Sequence, residues 1–176
     1  MQLSSVKKLS FTAVCAALCL VLPMAFHSIP NAGTVFLPMH IPVLICGFVV
    51  GPWAGLIVGA VTPLLRSVLF AMPPMYPAAI SMAFELAAYG FLTGLLYRMM
   101  PKKPVYIYVS LLISMVLGRV VWGIVRFLMA GLGGSEFSMA AFWAGGVTGA
   151  IPGIILQILI IPVIVMALKR AKLIEK

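Results

Sequence analysis

The sequence predicts an all-α integral membrane protein, a bundle of six transmembrane helices with the N- and C-termini in the cytoplasm. Of its 176 residues, 64% are hydrophobic and only 9% are charged, whereas soluble domains are nearer half apolar and a quarter charged. The basic residues stand between long apolar runs, a placement typical of cations retained on the cytoplasmic side of a bilayer. We therefore expect a multi-pass protein in contact with lipid, and no nucleic-acid partner.

Six apolar segments form one membrane domain over residues 1–176. A spanning helix needs about 20 mostly apolar residues. The segments lie at about 9–27, 36–50, 52–71, 78–97, 104–130 and 145–168. The second segment is short, and Gly51-Pro52 ends it. If it did not cross, Arg98 would fall outside the cell, so we predict that it crosses, short or tilted.

Charge placement predicts the orientation of these segments. Lys and Arg cluster before the first segment, between the fourth and fifth, and after the sixth; the members are Lys7, Lys8, Arg98, Lys102, Lys103, Lys169, Arg170, Lys172 and Lys176. Loops 28–35, 72–77 and 131–144 contain neither residue type. Because cations stay on the cytoplasmic side, we place the clusters inside and these loops outside.

Few residues are suited to catalysis. Asp is absent, and the acids are Glu85, Glu136 and Glu175, which disfavours reactions that need clustered carboxylates. The chain has no phosphate-binding G-x-x-x-x-G-K-[ST] loop, no H-E-x-x-H and no G-x-S-x-G. The three cysteines lie in apolar stretches and are interpreted as packing residues. We expect no enzyme activity, no metal and no cofactor.

Four charged residues lie within the apolar segments: Arg66, Glu85, Arg119 and Arg126. A charge at the centre of a membrane helix costs on the order of 3 kcal/mol, so it needs a partner or a polar cavity. In the predicted orientation all four fall at mid-depth or in the outer half of the bundle. Their excess positive charge indicates an anionic ligand. The alternative is that Glu85 pairs with one arginine for structure while another extends to the interface.

One helical face carries the strongest candidate site. Arg119, Trp122 and Arg126 are spaced three and four residues apart and so share a face. The planar guanidinium of Arg suits a carboxylate, and Trp offers a flat apolar surface.

For each of three further polar residues, the sequence is compatible with a structural role and with a ligand-binding role. His40 either caps a helix or contacts the ligand, and both roles are favoured over a metal pair with His27. Asn31 is a turn residue or a ligand contact, and Gln157 forms a hydrogen bond with a neighbouring helix or with the ligand. The proline-rich loop 72–77 is either a plain connection or a cover for the site.

Small residues mark a possible docking surface on the first helix. Ala13, Ala16 and Ala17 form a short alanine face near its cytoplasmic end, and such faces let helices approach closely. The alternative is internal packing. Packing is the default for the glycine stripes at Gly55 and Gly59 and at positions 145, 149 and 153.

Several stretches resemble the S components of energy-coupling-factor transporters, over nearly the whole chain. They are LPMHIPVLICG at 37–47, GPWAG at 51–55, PLL at 63–65, MPP at 72–74 and ELAAYG at 85–90. Ala13 and Ala17 resemble the family's A-x-x-x-A docking motif. The resemblance implies a prokaryotic plasma-membrane subunit that captures a vitamin or related micronutrient outside the cell. It also implies assembly with a transmembrane T component and two ATPases. The site would lie in the outer halves of helices 4 to 6 and in the loops that follow helices 1, 3 and 5.

The resemblance leaves the substrate open. Pantothenate is the first candidate because this chain looks most like predicted pantothenate carriers; biotin, niacin, lipoate and folate are anions as well. The alternative function is a stand-alone secondary permease for a small organic anion, with Glu85 as the proton-coupling acid. A membrane enzyme is a third reading, which the missing nucleophile motifs disfavour.

Overall fold

The structure is a computed structural model that describes residues 4–25, 35–101, 103–132, 138–171 and 173, and their regular secondary structure is helical. The long helices are α1 (Ser5–Ala25), α2 (His40–Val49), α3 (Pro52–Phe70), α4 (Ile80–Met99), α5 (Pro104–Leu132) and α6 (Ile151–Arg170). Counting the turns that lead into α4 and α6, five of these helices are long and apolar enough to cross a membrane, and α2 is shorter. The predicted class, a helical membrane bundle, is confirmed.

Two helices are extended by turns of other helical types. A π-helical turn, Met75–Ala79, leads into α4 and is interrupted at Tyr76, whose backbone is extended (φ −113°, ψ 132°). A short helix, Met139–Phe142, a second π-helical turn, Trp143–Val147, and a 3₁₀ turn, Thr148–Ala150, lead into α6. Such π-turns are uncommon and occur frequently at functional sites. Both turns begin inside segments, 72–77 and 131–144, that the charge pattern assigns to the outside.

The short helix α2 lies at the centre of the bundle. Nine of its ten residues are buried, and it contacts α1, α3, α4 and α6. Ten residues rise about 15 Å, half of a hydrocarbon core of about 30 Å. At its C-terminal end, Arg98 Nη2 donates a hydrogen bond of 2.9 Å to the Val50 carbonyl. The next residue, Gly51, has a φ of 124°, which a side chain would disfavour, and turns the chain into α3.

Glycines allow α3 and α4 to pack backbone against backbone. A Cβ atom on Gly55 would collide with the backbone of Gly90, and one on Gly90 would collide with Gly55. One turn away, Gly59 faces the backbone of Leu86 in the same way. Because this contact fixes α4 against α3, it also fixes the position of the adjoining buried residue, Glu85.

Candidate functional site

A buried charge cluster joins α2, α4 and α5. Glu85 on α4 is 1% exposed, and its Oε1 atom lies 2.8 Å from Nη1 of Arg119 on α5. The same oxygen lies 3.5 Å from Nε2 of His40, the first residue of α2. Charges removed from water are tolerated when an opposite charge lies within contact distance. The structure thus brings together three of the predicted site residues, from three helices.

This cluster has unfilled hydrogen-bonding capacity. Arg119 Nε and Nη2 and both ring nitrogens of His40 are buried and have no hydrogen-bond partner among the described residues. The same holds for Nε2 of Gln157, a 1%-exposed residue on α6. Nearly all buried polar atoms in proteins are hydrogen-bonded to protein or water. The guanidinium and amide nitrogens among these atoms are donors and can bind an acceptor-rich group that enters the bundle.

The aromatic ring of Trp122 links the two arginines of α5. The guanidinium carbons of Arg119 and Arg126 lie 5.8 Å and 5.7 Å from its centroid, within the range of cation–π attraction. Trp122 and Arg126 are half-buried. Gly145 and Gly146 of the second π-turn face the Trp122 ring, and a Cβ on Gly146 would lie 3.0 Å from it. The predicted face is thus a continuous surface of two cations around one indole.

Phe142 extends this surface; the sequence predicts it as an aromatic of the membrane interface first and as a site residue second. Its ring centroid lies 6.1 Å from that of Trp122 and 6.1 Å from that of Trp143. The ring also covers Gly123, where a Cβ atom would collide with it. The sequence signal for this contact was Gly123, because a residue without a side chain next to Trp122 leaves room for a ring.

Tyr89 also lies near the charge cluster, although sequence reasoning did not single it out. It lies one turn after Glu85 on α4 and is 1% exposed. Its ring packs edge-on against His40, with centroids 5.4 Å apart. The i, i+4 spacing from Glu85 was the available signal.

Arg66 on α3 contacts α1 rather than the charge cluster around Glu85. It is 6% exposed, and its Nη1 donates a hydrogen bond to the backbone carbonyl of Leu20 on α1. Its guanidinium carbon lies 5.3 Å from the centroid of Phe70. The hydrogen bond joins α3 to α1, whereas Arg119 is ion-paired with Glu85.

The loop before α4 is attached to the end of α5. The hydroxyl of Tyr76 donates a hydrogen bond of 2.8 Å to the backbone carbonyl of Met129. Tyr76 itself is 54% exposed. This bond holds the first π-turn beside the end of α5 that carries Arg126. Asn31, the other predicted loop residue, lies outside the described residues.

The alanines of α1 face two directions. Ala13 and Ala17 are exposed, as are their larger neighbours Val14 and Leu18. Ala16 is half-buried and packs against the core. Only Cys15 and Cys19 of α1 are buried. We refer to Ala13, Val14, Ala17 and Leu18 as the outer face of α1.

Metal binding has no support within the described residues, where no group of three His, Cys, Asp or Glu side chains could hold an ion. The described cysteines, Cys15, Cys19 and Cys46, are free and buried.

Comparison with known families identifies the family of the chain. The family model for ECF transporter, substrate-specific component, matches residues 7–165, which includes all of α2 to α5 and most of α1 and α6. No curated protein and no solved structure matches the chain. Members of the family are transport-specificity subunits rather than enzymes, and they act with a T component and ATPases on a small-molecule substrate. The chain belongs to this family, and it is a substrate-capture subunit of an energy-coupling-factor transporter.

Proposed function

We propose that the chain captures a small organic anion at Arg119, Trp122 and Arg126 for ATP-driven import. The observation that carries the proposal is the state of Arg119: Nη1 contacts Glu85, while Nε and Nη2 are buried without a hydrogen-bond partner among the described residues. A carboxylate fits two adjacent guanidinium donors in one plane. Arg126 adds a second positive charge across the Trp122 ring.

The position of the site supports outside-facing capture. The basic residues at both ends of the chain and after α4 favour cytoplasmic termini and six crossings. We propose that the short, buried helix α2 also crosses the membrane and so brings the number of crossings to six. The residues before it would complete the span. The protein would lie in a prokaryotic plasma membrane, where Arg126, toward the far end of α5 from Lys103, faces the external half.

The substrate class follows from the charge of the cluster. Glu85 already offsets much of the positive charge of Arg119, so a ligand with one carboxylate is favoured over one with two. Pantothenate stays the first candidate, and biotin, nicotinate and lipoate have the same single negative charge.

We also propose that the outer face of α1 binds the T component. Ala13 and Ala17 are exposed and lie one turn apart, so a partner helix can approach α1 closely there. Ala16 packs inward and is left out of this surface.

A stand-alone permease is less well supported. Glu85 is the one acidic residue within the apolar segments, and its carboxylate contacts Arg119 and His40, so few groups could carry a proton through the bundle.

Uptake assays separate the two functions. Vesicles with the chain alone and vesicles with the chain, the T component and both ATPases are loaded with ATP and tested with radiolabelled pantothenate, biotin, nicotinate and lipoate. We expect uptake of one of these only with the complete set, and none with an ATPase lacking its phosphate-binding lysine. Uptake by the chain alone that follows a proton gradient would overturn the proposal.

A further inference from the structure

One buried polar side chain of α6 has no part in the anion site proposed above. Gln157 is 1% exposed and lies among the buried residues of α6, whose other members are Gly153, Ile161, Pro162 and Val165. Nε2 of its amide has no hydrogen-bond partner among the described residues. A buried amide without a partner is unfavourable, and nearly all such groups in proteins are hydrogen-bonded. A polar amide on an otherwise apolar buried face therefore indicates a partner that the described residues do not supply.

The start of α6 packs beside the start of α2. A Cβ atom on Gly153 would lie 2.7 Å from the carbonyl oxygen of Val35 and 3.1 Å from the side chain of Leu37. The carbonyl of Leu37 in turn accepts a hydrogen bond of 3.0 Å from the backbone N–H of His40. Gln157 follows Gly153 by one turn on the same face, so it lies on the side of α6 that faces the beginning of α2.

The two helices run in the same direction. At the other end of α6, Nζ of Lys169 lies 5.6 Å from the ring centroid of Tyr97. That ring packs edge-on against Phe48 near the end of α2, with centroids 5.3 Å apart. One turn of helix rises about 5 Å. Gln157 and His40 both follow the contact between the two helix starts by about one turn, so they lie at a similar depth in the bundle.

The Gln157 amide therefore lies at the level of the charge cluster. Nε2 of His40 lies 3.5 Å from the Glu85 carboxylate that pairs with Arg119, and α6 contacts both α2 and α5. The basic residues of α6 lie only in its last turn, so α6 places no cation beside Gln157. A carboxylate is bound best by guanidinium groups, whereas an amide N–H suits a neutral acceptor such as a carbonyl, a hydroxyl or a ring nitrogen.

We propose that Gln157 donates a hydrogen bond to a second, neutral acceptor group of the substrate, so that the site selects monocarboxylates with such a group over plain hydrocarbon acids. The inference rests on the proposed capture of a carboxylate by Arg119 and Arg126, and it narrows the substrate class. Pantothenate has amide and hydroxyl oxygens, biotin has a ureido carbonyl, and nicotinate has a ring nitrogen. Lipoate has only a disulfide ring besides its carboxylate and is therefore excluded.

Pairs of acids that differ in the neutral acceptor test this selectivity. Nicotinate is compared with benzoate, biotin with lipoate, and pantothenate with octanoate, by calorimetric titration of the purified full chain. We expect the Kd values within the pair that contains the substrate to differ by about tenfold or more, because the analogue leaves a buried donor unsatisfied. If both members of each pair bind equally, anion capture stands and the role of Gln157 is wrong. If none of the acids binds, capture of these anions is wrong and this inference fails with it.

The variant Gln157→Met tests the residue itself, because methionine has a similar length and no donor. Since Nε2 has no partner in the empty site, an apolar replacement should leave the melting temperature of the ligand-free protein unchanged or higher, while the selectivity falls to about twofold or less. Ile161→Met, one turn further along the buried face of α6, is the control and should keep the wild-type selectivity. A Gln157→Met protein that keeps this selectivity, or that no longer folds, would show that the amide is structural and would overturn the proposal.

Discussion

Arg119 and Glu85 form an ion pair with an Nη1–Oε1 distance of 2.8 Å although the two side chains are only 11% and 1% exposed. The pair joins α4 to α5 at a depth where either charge alone would be unfavourable. It uses one edge of the guanidinium and leaves Nε and Nη2 for another acceptor. Arg119 therefore forms a structural ion pair and keeps two donors that, in our proposal, bind the ligand.

The ion pair predicts a marked asymmetry between single and double variants. Glu85→Gln leaves a buried cation without its partner, which costs about 3–5 kcal/mol and should lower the melting temperature in detergent. The double variant Glu85→Gln/Arg119→Gln removes both charges and should recover much of that loss. A double variant as unstable as Glu85→Gln alone would show that the two charges do not depend on each other.

Arg126 should contribute to affinity without contributing comparably to stability. Because it is half-buried and lies over Trp122, Arg126→Gln should weaken binding of a carboxylate by about 2 kcal/mol, typical of a lost charge-assisted bond. Titration of Trp fluorescence measures this with whichever of the four vitamins is taken up. Arg66→Gln is the matched control, because its contacts with Leu20 and Phe70 predict lower stability with unchanged affinity.

The glycine contact between α3 and α4 predicts a strong effect of a single methyl group. Gly90→Ala places a Cβ atom against the backbone of Gly55, and overpacking of this kind costs roughly 1–3 kcal/mol. Gly131→Ala on α5 is the control, since no atom lies within 4 Å of its Cβ and alanine is the better helix former. Equal melting temperatures for the two variants would refute the close packing.

The outer face of α1 predicts loss of assembly without loss of capture. Ala13→Trp and Ala17→Trp add bulk to the exposed surface and should prevent co-purification with the T component, while ligand affinity stays unchanged. Ile57→Trp, at a 57%-exposed position of α3, should assemble normally. If Ala17→Trp assembles as well as Ile57→Trp, the partner binds another surface.

Tyr76 should slow the release of bound ligand. Tyr76→Phe removes its hydrogen bond to Met129, worth about 1 kcal/mol, and should raise the dissociation rate several-fold in stopped-flow measurements. Tyr108→Phe, at a 37%-exposed tyrosine of α5, is the control. Identical dissociation rates in the two variants would mean that the loop does not control exit.

Two local features of the sequence, hydropathy and residue spacing, predicted the fold class and one face of the candidate site. Hydropathy indicated a helical membrane bundle because uninterrupted apolar runs have few other stable forms. The three- and four-residue spacing of Arg119, Trp122 and Arg126 predicted a shared face because helix geometry alone determines it, and the structure places these residues together.

Contacts between distant segments were beyond sequence reasoning. Nothing in the chain distinguishes Arg66 from Arg119 as a buried cation, since the difference lies in whether Leu20 or Glu85 is the neighbour. The role of Phe142 likewise depends on the path of residues 139–150 back toward α5.

The small-molecule content of the purified chain tests the central claim most directly. The wild-type protein and the Glu85→Gln/Arg119→Gln variant are purified in parallel from the same cells, and their bound compounds are extracted and identified by mass spectrometry. We predict that a compound with one carboxylate accompanies the wild-type protein, without ATP or partner subunits, and is missing from the folded variant. The same compound in equal amounts on both proteins, or a bound cation, would contradict capture of an anion by Arg119.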